Sequence, residues 1–286
     1  PYRAMLGEAL PGDFSLFLAG VTGSRKTEMA AVIQAHFGEN WHGKHLPASW
    51  SSTPNSLERA AFLAKDAVMV VDDFCPTGTA TDIARFHTGA DRLLRAQGNR
   101  AGRQRMNVDG SLRPAYYPRG LIVATGEDIP RGQSLRGRLL ILEFDPHTVD
   151  LAALSTMQTH ASSGRLSAAA GAFARWLAPR MGELKKSLPA MRNTLRNEIN
   201  ATAHSRHPDT LAGMMLTARL FAEFAADTGV ALPADWLADI DAALLQAGAD
   251  QVQAVASEEP AGRFVRLIHA SLSAGLCHVR RRDGRE

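Results

Sequence analysis

Two cysteines in 286 residues, Cys75 and Cys277, are too few and too far apart for a disulfide framework. No CxxC or Cys/His cluster surrounds them to hold a structural zinc. His204 and His207 stand at i, i+3, a spacing a metal can use, but no third ligand lies in reach by sequence. There is no G-x-S-x-G elbow, so a Ser/His/Asp nucleophile has no support. No apolar run approaches the length that spans a bilayer and no signal peptide opens the chain, so the expectation is a cytoplasmic protein with no membrane partner. Net charge is small, since 32 Lys and Arg oppose 29 Asp and Glu to leave +3; only its distribution can point to a partner. The length is large for one core, so a second, smaller unit is expected. With Pro1 at its start and Arg280-Arg281-Arg282 near its end, the chain reads as a piece of something longer.

What is present begins with Gly20-Val21-Thr22-Gly23-Ser24-Arg25-Lys26-Thr27, which follows the apolar run Phe14 to Ala19 and opens the amphipathic stretch Glu28 to Phe37. That order is strand, loop, helix. Such a loop aims backbone N–H groups and the positive end of a helix dipole at one small volume, as a triphosphate requires. Gly20, Gly23, Ser24 and Arg25 would line the cradle, Lys26 would reach the β and γ phosphates, and the Thr27 hydroxyl would ligate magnesium. The pattern departs from GxxxxGK[ST] at Arg25, where the last glycine belongs. Gly23 is then expected to supply the φ > 0 geometry instead, and Arg25 to add a cation. A Gly/Ser turn with a surface lysine is the plainer alternative.

Downstream, Ala67-Val68-Met69-Val70-Val71-Asp72-Asp73 is an unbroken apolar run ending in two carboxylates, and it reads as a buried parallel strand. Asp72 at its tip is suited to hold magnesium, and Asp73 to polarise an attacking water. A further run, Gly120 to Ala124, ends in Thr125, a polar residue suited to touching a γ phosphate. Arg136 and Arg138 precede the last run, Leu139 to Phe144, where an arginine can stabilise charge on a phosphoryl group held by a neighbouring subunit.

Together, Gly20 to Thr27, Val68 to Asp73, Leu121 to Thr125 and Arg138 to Phe144 resemble the AAA+ ATPase core. The likeness is to superfamily 3 viral helicases and to helicase-like proteins of bacterial mobile elements and prophages, often fused to a primase. Trp50 to Glu58 and Arg95 to Asn99 resemble the mobile-element group. The resemblance covers about the first half of the chain and implies an ATP- and magnesium-dependent P-loop core, with Arg138 as the arginine finger. It also implies a ring-forming homo-oligomer, a hexamer, acting on single-stranded DNA. Arg25, and Thr125-Gly126 where an asparagine is more usual, are the departures.

Charge is uneven, with Arg85, Arg92, Arg95, Arg100, Arg103, Arg105, Arg113 and Arg119 opposed by Asp91 and Asp109 alone. The expected hairpin runs from Asn99 to Arg105, turns at Val108-Asp109-Gly110 and returns from Leu112. Arg100, Arg103 and Arg105 would follow nucleic-acid phosphates, with Tyr116 and Tyr117 stacking on bases; a contact surface for a neighbouring subunit is the alternative.

Between the first two motifs, Trp50 to Thr53 is expected as a short strand and Asn55 to Glu58 as a capping box. The fold class expected is α/β, a P-loop NTPase (AAA+-like) parallel sheet with helices on both faces, followed by an all-α segment. Residues 1–146 would form the ATPase core with its basic hairpin, and 147–286 a helical domain. In that domain Leu166, Phe173, Trp176 and Leu177 trace one apolar face, and Leu211, Met215, Ala218 and Phe224 another. The reading is an ATP-hydrolysing motor on DNA, a replicative helicase of a mobile element or phage. The alternative is an AAA+ assembly switch or clamp that regulates a partner protein without translocating.

Overall fold

Five apolar runs do become a sheet. The structure, a computed structural model, describes residues 1–199 and 207–257 with positions 264, 265, 268, 269 and 272; at 105, 113, 114 and 253–257 it describes the backbone alone. His204 and Cys277 lie outside the described residues. The strands are β1 (Ser15–Gly20), β2 (Ala48–Ser49), β3 (Val68–Phe74), β6 (Leu121–Gly126) and β7 (Leu139–Phe144), all parallel, in the order β2-β3-β6-β1-β7. β6 therefore lies between the strand that feeds the glycine-rich loop and the strand that carries Asp72.

Helices cover both faces because successive side chains on a buried strand point opposite ways. On one face Phe17, Ala19, Met69, Val71, Ile122 and Ala124 pack with Leu57, Ala61, Leu93 and Leu94 from α2 (Pro54–Leu63) and α3 (Ala80–Asn99). On the other, Leu18, Val68, Val70, Val123 and Leu140 meet Ala30 of α1 (Lys26–Gln34) and Leu211 of α8 (His207–Asp227). The two-residue strand β2 stands two residues before its expected place. Thr53, not Asn55, caps α2, accepting from the Ser56 amide at 3.3 Å with Pro54 in the first turn. Glu58 is buried instead as the ion-pair partner of Arg92, whose Nη2 also donates to Asn55 Oδ1 at 2.9 Å.

Beyond β7 the chain is helical: α5 (Leu151–Ser162), α6 (Arg165–Leu177), α7 (Met181–Glu198), α8 and α9 (Trp236–Ser257). Phe173, Leu177, Leu188, Met215, Leu216 and Phe224 form their common core. The expected division at residue 146 separates strands from helices in chain order. Packing crosses it, since Leu6, Ala9 and Leu10 lie in the helical core and buried Gln251 of α9 accepts from the Ile141 amide of β7 at 2.9 Å. No helix of the described residues is long and apolar enough to cross a membrane.

The arginine-rich segment divides in two. Arg85, Arg92 and Arg95 belong to α3, a helix opened by a Thr79/Asp82 capping box. The hairpin is shorter than expected, β4 (Arg103–Met106) against β5 (Leu112–Tyr116), turning at residues 108–110 with Gly110 at φ 82°.

Candidate nucleotide site at the strand tips

The loop leaves β1 at Gly20 and enters α1 at Lys26. Gly20 is required by packing: a Cβ there would stand 2.1 Å from the Phe144 carbonyl oxygen and 2.8 Å from Ser24 Oγ. Gly23 supplies the positive φ expected of it, without sparing position 25. Gly23 has φ 87°, but Arg25 also takes the left-handed conformation, φ 66°, so a non-glycine residue accepts the geometry the missing glycine would have given freely. Held strain of this kind gathers at ligand clamps. Ser24 is buried with its Oγ unpartnered among the described residues. The Lys26 ammonium turns back on the loop and donates to the Val21 carbonyl at 3.1 Å, while the Arg25 side chain is exposed.

The two acids arrive through an irregularity. The β3–β6 register runs evenly from Val68↔Leu121 to Val71↔Ala124, then shifts so that Phe74 pairs with Gly126. The bulge falls on Asp72 and Asp73, and Asp73 takes φ 66°. Thr27 Oγ1 donates to Asp72 Oδ1 at 3.1 Å, and Thr125 Oγ1 donates to the same oxygen at 2.5 Å. Thr125 Oγ1 in turn accepts the Asp73 amide at 3.0 Å. Thr125 is 1% exposed. Its hydroxyl, expected to touch a γ phosphate, here holds the acid bulge. Asp72 Oδ2 keeps no hydrogen bond among the described residues, and Asp73 is exposed.

Glu127 joins this group without having been singled out from sequence. Its carboxylate accepts from the Thr22 hydroxyl of the loop and lies 3.8 Å from Cys75 Sγ. The Cys75 thiol is pushed up, by desolvation first and then by the carboxylates of Glu127, Asp73 and Asp128. The strand tips thus carry a dense negative charge beside a cationic loop. Among the described residues no three His, Cys, Asp or Glu side chains form a metal cage. A hard cation held here would take the Thr27 and Asp72 oxygens and complete its shell from outside the protein, as magnesium does. The legible clue to Glu127 was its place two residues past Thr125; the crossing to Thr22, 105 positions away, leaves no mark in sequence.

Arg138 lies at the other end of the sheet. Its carbonyl accepts the Ser15 amide at 2.9 Å where β1 begins, and β1 and β7 run in register from Ser15↔Leu139 to Gly20↔Phe144. At the strand rise that separates Arg138 from its own loop by about 17–20 Å. Its guanidinium donates to Asn99 Oδ1 from Nε (3.3 Å) and Nη2 (3.0 Å), and from Nη1 to the Ser134 carbonyl (2.5 Å) and Oγ (2.8 Å). Arg136 ends the short helix α4 (Gln133–Arg136) and is half-buried. Of the expected nucleic-acid residues, Arg100 and Arg103 are exposed, and the Arg105 side chain lies outside the described atoms. Arg95 is tied to Asp91 at 2.7 Å, and Arg119 donates to the Phe62 carbonyl at 2.7 Å. Tyr116 and Tyr117 pack on Phe62 at the hairpin root, with ring centroids 5.0 and 6.2 Å away, rather than standing free to stack on bases.

These features define a class, an α/β fold of the P-loop NTPase type followed by a helical segment. No family model and no curated protein matches the chain. Among solved structures it is similar to the active helicase Cch of SCCmec type IV, with a TM-score of 0.62 at 13% identity over 96% of this chain and 51% of that one. The chain thus spans about half the length of that helicase, and at this identity the likeness is one of fold. A JCV helicase structure is similar at a TM-score of 0.34 and 16% identity, over 77% of this chain and 64% of that one.

Proposed function

We propose that the chain is a magnesium-dependent ATPase and the motor part of a ring-forming, DNA-translocating helicase of a mobile element or phage. The observation that carries the ATPase reading is the hydrogen-bonded chain Thr27–Asp72–Thr125, which ties the loop to two neighbouring strand tips. The residues present fit a metal-nucleotide group: the buried Ser24 Oγ lacks a partner among the described residues, Lys26 rests on a carbonyl it can leave, and an alcohol and a carboxylate offer hard oxygens side by side. Magnesium bound there would neutralise charge on the phosphates. Lys26 and the loop amides bind and orient the phosphates, Thr27 and Asp72 hold the metal, and Thr125 fixes both acids. Asp73, exposed on the bulge, accepts a proton from the attacking water. Arg138, far from its own loop, would serve the site of an adjacent protomer, which makes a homo-oligomer, a hexamer on this reading, part of the proposal.

Phosphate release from Mg-ATP by the intact chain, beside Asp72→Asn, tests this reading. Loss of turnover in the variant with nucleotide binding retained supports it, and equal turnover in both contradicts it. A second reading, an assembly switch acting on a partner protein, is favoured by the internal engagement of Arg92, Arg95 and Arg119, which spends cations that a nucleic-acid channel would need. Strand displacement on forked DNA separates the two.

A further inference from the structure

Arg138 is held by the C-terminal end of α3, the same turn from which the hairpin springs. Asn99, the last residue of that helix, accepts two bonds from its guanidinium at 3.3 and 3.0 Å. The neighbouring residue matters as much. A Cβ at Gly98 would lie 2.6 Å from Arg138 Cδ and 2.8 Å from Cγ, so the arginine stem runs over a helix surface that only glycine leaves flat enough. Ser134, one turn before Arg138, accepts from Nη1 with its carbonyl and its hydroxyl oxygen. After Asn99 the chain turns at once through Arg100, left-handed at φ 49°, and reaches β4 at Arg103.

An unheld arginine has many rotamers, and fixing it costs entropy each time it must meet a phosphoryl group. A planar fork clamped on two sides has already lost that freedom. We infer that Asn99, with Gly98 beneath it, is the positioning residue for Arg138, setting the guanidinium for the neighbouring protomer's nucleotide and tying it to the root of the hairpin. This rests on the ATPase reading above, with Arg138 acting across a subunit boundary. On this inference Asn99 acts through Arg138, so its loss should lower kcat and leave the KM for ATP unchanged.

The test uses the full chain and Asn99→Leu, which keeps the side-chain size and removes the acceptor. Its kcat should fall about ten- to hundredfold, the scale of a lost bond to a charged group. Gly98→Ala, which pushes the stem aside, should fall alongside it. Asn99→Asp, which retains the acceptor oxygen, should keep its fold and ATP affinity and recover part of the rate. The decisive arm mixes protomers: Asn99→Leu supplies an intact loop and Lys26→Ala an intact finger, so equimolar mixing should raise turnover above the mean of the two separate preparations. A mixture that only averages, or an Asn99→Leu chain with normal kcat, overturns the inference. A wild-type chain that hydrolyses no ATP sinks the underlying reading itself, and is recognised before any variant is made.

Discussion

Thr125 donates its hydroxyl proton to Asp72 at 2.5 Å while accepting the amide of the next residue, Asp73, at 3.0 Å. One buried alcohol thus fixes both acids of the bulge, and it can do so because β6 is inserted between β1 and β3. The alcohol's one O–H proton is already committed to Asp72. Under the proposed function its contribution is the position of Asp72.

Thr125→Val conserves shape and removes that alcohol. It removes the acceptor of the part-buried Asp73 amide and one of the two donors to Asp72 Oδ1, which costs about 1 kcal/mol or somewhat more. Denaturant unfolding should show that loss with an unchanged slope, and magnesium-dependent phosphate release should fall about tenfold or more. Thr125→Ser should keep most of both.

Arg138→Ala should reduce turnover by at least about 10³-fold while ATP still binds, as for arginine fingers elsewhere. Titration with a fluorescent ATP analogue beside steady-state hydrolysis checks the split. Loss of binding in proportion to rate would move Arg138 to a structural role.

Removing Arg103, exposed at the start of β4, should weaken single-strand binding equally across sequences. The slope of log affinity against log salt should drop by about one. An unchanged slope in Arg103→Ala assigns this arginine to a protein contact, as the switch reading expects.

Acid stability has a definite sign. The Glu8 carboxyl is held down from 4.5 to about 2 by its hydrogen bonds to Lys185 and Lys65, which join the N-terminal segment to α7 and to the turn before β3. Between those two values the unfolded chain binds more protons, so this contribution is complete above 4.5 and is lost as pH falls toward 2. Acid unfolding of Glu8→Gln should therefore depend less steeply on pH in that window.

Much of the sheet was legible because fully buried parallel strands read as apolar runs, and the candidate site residues stand where each run ends: Gly20, Asp72, Thr125. The two-residue β2 was displaced, since Ala48 and Ser49 carry no periodicity. Arg85, Arg92 and Arg95 recur at seven and three residues, a helical spacing that their shared charge concealed. The arginine content read as a hairpin belongs in good part to α3. Contacts between distant positions left no trace. Glu127 with Thr22, Gly98 beneath Arg138, and Leu10 among the later helices are products of folding that local pattern cannot carry.

The most direct measurement is phosphate release from ATP by the intact chain, with and without magnesium, beside Lys26→Ala. Turnover that requires magnesium and disappears when the Lys26 ammonium is removed is the expected result. Equal turnover in the Lys26→Ala chain would contradict the assignment of residues 20–27 as the nucleotide's phosphate cradle, and with it the function proposed for the whole.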